Sequence, residues 1–492
     1  MERTWRWFGK KDKITLAQLK QIGVEGIVTA LHDVPLGEVW TREKIHELKE
    51  YIESYGMKWS VVESLPVVET LKYGGPDRDQ QIEVYKESLR NLGEEGIKCI
   101  CYNFMPVLDW ARTDLSHDNP NGANNLYMNW GEFAYFDIYI LQREGAREDW
   151  AAFSKEHKWG RDLVAEADEI KKTATPEMDH ELVENIIIKT QGFVSGNFSE
   201  GDSAPVQKFR DLLKLYEGID KKKLQENMKY WLEAIMPVCD EYDINMCVHP
   251  DDPPYPVFGL PRIIGRAEDI QWMLDAVPNK HNGLTFCAGS FSAGEHNDCV
   301  AMAKLFADRT HFVHLRSCYI FPNGNFTEAS HLGGRGHLID LCRIFEKAEQ
   351  EGKCNSGRIV DERQPVGDHR PQVRVFDAGF VFGQEQIQRL AGFPRLAVHH
   401  GFELLARDGA FRQIADAQHV VELQRIAVTG FERGIGAGEL FGEVGAVDVV
   451  VFALVFRRQT GRVDLMQDAE GFAVHAAVEN GFGQIDPCTV DP

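Results

Sequence analysis

Short apolar runs alternate with helix-patterned stretches along the first 350 residues, and this alternation constrains the fold more than any other feature. The runs at 25–30 (EGIVTA), 58–63 (KWSVVE), 99–104 (CICYNF), 244–249 (INMCVH), 284–287 (LTFC) and 312–316 (FVHLR) read as strands. Helical patterning falls at 16–22, 40–55, 79–92, 221–242, 268–276, 294–308 and 335–348. In the stretch 40–55, for instance, Ile45, Leu48, Tyr51 and Ile52 share one face. Strand and helix alternating at a spacing of roughly 35 residues define βα units, and βα units build a parallel sheet of the α/β class. The six strands are two short of a closed barrel of eight.

Two segments break the rhythm. Residues 106–205 are polar and aromatic, with Trp110, Tyr127, Trp130, Phe133, Tyr135, Phe136 and Tyr139, and include a helix predicted over 148–173. A long insertion after a barrel strand stands on the face where barrels keep their chemistry, so it reads as a lid or as an ordinary helical excursion. The second break comes at residue 354. All lysines, all 10 Trp and all 13 Tyr precede it, and Gly, Val, Phe, Gln and Arg dominate 354–492. This tail reads as a foreign segment, either an extra domain of unusual composition or the product of a frameshifted or chimeric gene.

Charge and apolar patterning exclude several function classes. A formal charge of −22 argues against nucleic acid and anionic membrane as partners, while leaving room for a local positive pocket that takes an acidic small molecule. Residues 1–13 carry no apolar signal core, and the longest apolar run, 449–456, is too short to span a bilayer. The 10 cysteines show no framework spacing and read as free thiols in a reducing cytoplasm. Homo-oligomerisation is left open.

Three strands end in metal-ligand residue types: His249, Cys287 and His314. Parallel barrel strands converge their carboxyl ends on one mouth. Two imidazoles and a thiolate there suit a divalent transition metal and leave positions for substrate oxygens. Singly, each residue reads equally well as part of the core; their shared position is what favours a site. Asp251 and Asp252 follow His249 and either orient a ligand or a substrate hydroxyl, or cap a turn before Pro253 and Pro254. Arg316 either grips a carboxylate at the mouth or forms a surface salt bridge. His331 is an acid–base group or a solvated loop histidine. The turn Gly333-Gly334-Arg335-Gly336 is an anion site or a plain turn.

The segments GIVTALHDVP (26–35), CYNFMPVLDWARTDL (101–115), HPDDPPYPVFGLPRI (249–263), TFCAGS (285–290), FVHLRS (312–317) and EASHLGGRGH (328–337) resemble the mannonate dehydratase family over residues 1–350. The resemblance implies a TIM-like (β/α)8 barrel of the xylose-isomerase type. It implies Mn2+ or Fe2+ held at His249, Cys287 and His314, with an aspartate from a later strand. It also implies a hydro-lyase that converts D-mannonate to 2-dehydro-3-deoxy-D-gluconate in hexuronate catabolism. The family's Arg-x-Asp-His-Gly segment does not occur here; Asp368 and His369 are a poor stand-in, and the catalytic acid–base pair stays unassigned. The expectation is therefore a barrel lacking its last two strands and followed by an unrelated tail. Two alternatives stand beside an active dehydratase: a remnant that binds metal or sugar acid without turnover, and a metal-dependent sugar isomerase.

Overall fold

The computed structural model describes residues 1–119, 122, 124–190, 197–198, 202–352 and the backbone of 374–376. Its strands are β1 (Glu2–Arg6), β2 (Gly26–Thr29), β3 (Lys58–Glu63), β4 (Cys99–Tyr102), β5 (Asp114–Asp118), β6 (Asn124–Met128), β7 (Asn245–Val248), β8 (Asn282–Cys287), β9 (Thr310–His314), β10 (Ser317–Ile320), β11 (Phe326–Ala329) and β12 (Arg374–Phe376). Eight of them close a parallel barrel in the order β1-β12-β9-β8-β7-β4-β3-β2. Strands packed on both faces read as unbroken apolar runs, and every residue of β2, β4 and β8 is buried. Val28, Val61, Cys99, Cys101, Cys247 and Phe312 form a separate buried cluster drawn from five barrel strands. It is a packed interior of the kind that fills such barrels.

The helices start where side chains satisfy their orphan amides. Thr15 and Gln18 form a capping box ahead of the helix Leu16–Gln21. Asp220 accepts from the Lys223 amide ahead of Lys221–Tyr242, which spans the range its periodicity predicts. Two predicted helices are corrected. The stretch 148–173 is two helices, Ala146–Glu156 and Leu163–Thr173, because Asp162 caps the second by accepting from the Val164 and Ala165 amides. The stretch 294–308 shortens to Cys299–Phe306, capped by Asp298.

The expected loss of the last two strands is also corrected. The sequence count missed β1, whose letters ERTWR form no β-branched run; pairing with β2 through Thr4↔Gly26 makes it a strand. Seven barrel strands thus precede residue 315. The eighth place is taken by β12, which pairs Glu2↔Arg374 on one side and Phe376↔His314 on the other. β12 lies beyond the change in composition, so the tail contributes to the barrel.

The insertion between β4 and β7 carries β5 and β6 and the helices Trp130–Tyr135, Ala146–Glu156, Leu163–Thr173, Pro176–Val183 and Pro205–Lys214. It is joined to the chain after β9 by an antiparallel sheet, β10-β11-β6-β5. Trp130 is fully buried there, its ring 5.1 to 6.2 Å from those of Phe153, Tyr255, Phe326 and other aromatics, and its Nε1 donates to the Gly324 carbonyl at 2.9 Å. Gly324 has φ +83°, and a Cβ there would sit 2.1 Å from the Trp159 ring.

Candidate metal centre

β7, β8 and β9 are neighbours in the barrel, and Cys287 is in register with His314. His249 follows β7 directly, its amide donating to the Tyr102 carbonyl at 2.9 Å. The ligand-type atoms of His249, Cys287 and His314 all lie within 4.8 Å of one another. The barrel therefore brings the three together as their strand-end positions predict.

Each of the three has an outer partner. His249 Nδ1 lies 2.8 Å from the Pro250 carbonyl oxygen, which can only accept, so Nδ1 carries the proton and Nε2 keeps its lone pair. His314 Nε2 lies 3.1 Å from Oε2 of Glu63, so Nε2 donates and Nδ1 keeps the lone pair. The Cys287 sulfur accepts from Arg316 Nε at 3.3 Å and lies 3.2 Å from the Ser290 hydroxyl. Burial alone would raise the Cys287 thiol. The positive charge of Arg316 leads the effects that oppose it, and the thiol is held well below its ordinary range. A thiolate with two imidazoles, each fixed through its other nitrogen, is a donor set that fits a borderline divalent metal.

Glu63 and Arg6 were not singled out in the sequence. Glu63 ends β3 and is buried, with Arg6 NH1, at the end of β1, 2.8 Å from its Oε2. Burial would raise the Glu63 carboxyl, but the charge of Arg6 and the hydrogen bond from His314 hold it below the usual carboxylate range. A signal did exist: KWSVVE is an apolar run ending in a ligand-type residue, the same pattern that marked INMCVH, LTFC and FVH.

The other predicted residues fall as follows. Asp251 is buried and closes its loop, accepting from the Ile264 amide at 2.7 Å; burial pushes its carboxyl up to about 6. Asp252 is buried between two guanidiniums, Arg112 NH1 at 2.7 Å and Arg316 NH2 at 2.6 Å. Arg316 lies two residues beyond β9 and also meets Glu328 Oε1 at 2.6 Å. His331 stands in the turn after β11, half-buried and outside the three-residue cluster. In the glycine turn, the Gly333, Arg335 and Gly336 amides donate to Ser330, Cys318 and Ser317 of the protein itself, as a plain turn requires. Asp368 and His369 lie outside the described residues.

An eight-stranded parallel barrel with two imidazoles and a thiolate at adjacent strand ends has the build of a metal-using (β/α)8 enzyme. Comparison with known proteins narrows the class. The family model for D-mannonate dehydratase (UxuA) matches residues 1–384, a span that runs past residue 354 and includes β12. Mannonate dehydratase of Marinomonas sp. (strain MWYL1) is 41% identical over 406 residues, covering 82% of this chain and 98% of that protein. Mannonate dehydratase of Chromohalobacter salexigens is 40% identical over 370 residues, covering 75% and 90%. Among solved structures, mannonate dehydratase from Streptococcus suis serotype 2 superimposes with a TM-score of 0.54 at 32% identity, covering 70% of this chain and 82% of that one. The chain belongs to the D-mannonate dehydratase family, and the class of enzyme is hydro-lyase.

Proposed function

We propose that this chain removes water from D-mannonate to give 2-dehydro-3-deoxy-D-gluconate, acting in the cytoplasm in hexuronate catabolism, with Mn2+ or Fe2+ held by His249, Cys287 and His314. The observation that carries the reading is the convergence of those three donors, each with its outer partner, at the mouth of a barrel of this family. A divalent cation bound there supplies Lewis acidity toward the carboxylate and neighbouring hydroxyl of the sugar acid, which makes the C2 proton more acidic. Glu63 keeps the His314 ring oriented by accepting a hydrogen bond from its Nε2, and the Pro250 carbonyl does the same for His249 through Nδ1. The start of the insertion is tied to the loop after β7: the Ala111 amide donates to the Asp252 carbonyl at 3.2 Å, and Arg262 NH1 to the Leu108 carbonyl at 3.1 Å. This supports a lid role for 106–205, excluding water from the mouth.

The test is a product assay on the purified full chain loaded with Mn2+ or Fe2+, together with metal stoichiometry. We expect formation of the 2-keto-3-deoxy sugar acid, about one metal per chain, and loss of tight metal binding in Cys287→Ser. Metal binding without product would instead support the impaired-remnant reading, which the missing Arg-x-Asp-His-Gly segment favours. Ketose–aldose interconversion without loss of water would identify an isomerase.

A further inference from the structure

We infer that Arg316 is a positioning residue for the Cys287 sulfur and not a clamp for the substrate's carboxylate; the inference rests on the metal reading above. A guanidinium grips a carboxylate through two parallel N–H groups along one edge. Neither edge of Arg316 is open for this. NH1 donates to Glu328 Oε1 at 2.6 Å, and NH2 donates to Asp252 Oδ2 at 2.6 Å and lies 3.2 Å from Ser290 Oγ. Nε donates to Cys287 Sγ at 3.3 Å. The two carboxylates thus hold the guanidinium so that its remaining nitrogen points at the sulfur.

Two further observations support a built arrangement. The Ser290 hydroxyl lies 3.2 Å from the sulfur and 3.0 Å from Asp252 Oδ2, and its single proton can serve only one of them, whereas the Arg316 Nε proton has a single acceptor. The stem of Arg316 also passes over Gly289 so closely that a Cβ there would lie 2.4 Å from its Cγ and 2.5 Å from its Nε. Gly289 belongs to the short helix Ala288–Ser292 that follows Cys287, so the residue two places after the thiolate leaves the space through which the arginine reaches back to it. Asp252 is held in turn by Arg112 from the insertion, and Glu328 sits on β11, which pairs with β6 of the insertion. Seating of the insertion therefore sets the aim of Arg316. An N–H donor and a positive charge at a thiolate draw electron density from the sulfur and fix the direction of its lone pairs.

Cobalt(II) bound to the full chain reports on the sulfur through sulfur-to-cobalt charge-transfer absorption, with Cys287→Ser as the blank. Two variants disturb Arg316 differently: Arg316→Lys removes the Nε donor, and Gly289→Ala pushes the stem aside while the guanidinium charge stays. The expected result is a charge-transfer band moved to longer wavelength in both, with cobalt affinity about 10-fold or more weaker. If Arg316→Lys does not fold, Gly289→Ala carries the test alone. Bands that superimpose on that of the unaltered chain, with Arg316→Lys raising only KM for the sugar acid, would overturn the inference in favour of a substrate clamp. An unaltered chain with no sulfur-to-cobalt band would overturn the metal reading itself and the inference with it.

Discussion

Glu63 is the residue whose role depends most on its surroundings. A carboxylate buried at the end of a barrel strand is costly unless paired, and here Arg6 and His314 both meet its Oε2. Its hydrogen bond to His314 Nε2 assigns the imidazole's tautomer, and an outer-shell partner of this kind is typically worth about 10- to 100-fold in metal affinity. Replacing Glu63 with Gln keeps the shape and removes the charge. We expect Mn2+ affinity to fall by about that factor in a chelator competition, with an unchanged circular dichroism spectrum; unaltered affinity would sink the role given to Glu63. His249, Cys287 and His314 were legible as a set because each ends an apolar run. Glu63 ends one too, but an acidic residue after a strand is so common on protein surfaces that the pattern carried no weight without its partner 251 residues away.

At the scale of elements, the insertion is organised around Trp130. Its ring is buried among aromatic rings from the insertion, the loop after β7 and β11, and its Nε1 anchors the turn between β10 and β11. Truncation of a buried tryptophan costs about 3 to 5 kcal/mol, here concentrated where the insertion meets β11. Hydrogen exchange on Trp130→Ala should therefore rise in β6, β10 and β11 well before it rises in β2, β3 and β8. A uniform rise across the barrel would show that the insertion and barrel open as one unit. The broken helix in this region shows where periodicity fails. Apolar spacing runs on through 148–173, while the Asp162 side chain, accepting from two amides, ends one helix's reach and starts another.

At the scale of the molecule, the barrel is closed by β12, a three-residue strand from the part of the chain that has lost lysine, tryptophan and tyrosine. Without it, β1 and β9 would each present an unpaired edge, and exposed parallel edges recruit other chains. A chain ending at Gly352 is expected to self-associate on size-exclusion chromatography at concentrations where the full chain elutes as a defined species. A truncated chain that elutes as a single compact monomer would show that β12 is dispensable for closure.

The sequence by itself determined the βα alternation, the long insertion after β4, the three donors at strand ends and the family. These are local properties: apolar period, propensity and motif spacing act over a few residues to a few tens. Tertiary structure decided the rest. Pairing with β2 made a strand of Glu2–Arg6, and pairing with β1 and β9 placed Arg374–Phe376 in the eighth position. It also gave Arg316 its partners, Asp252 and Cys287, 64 and 29 residues away. A charged side chain shows in the sequence as a charge; which group it faces follows from barrel closure and strand register, and these settle only when distant segments pack together.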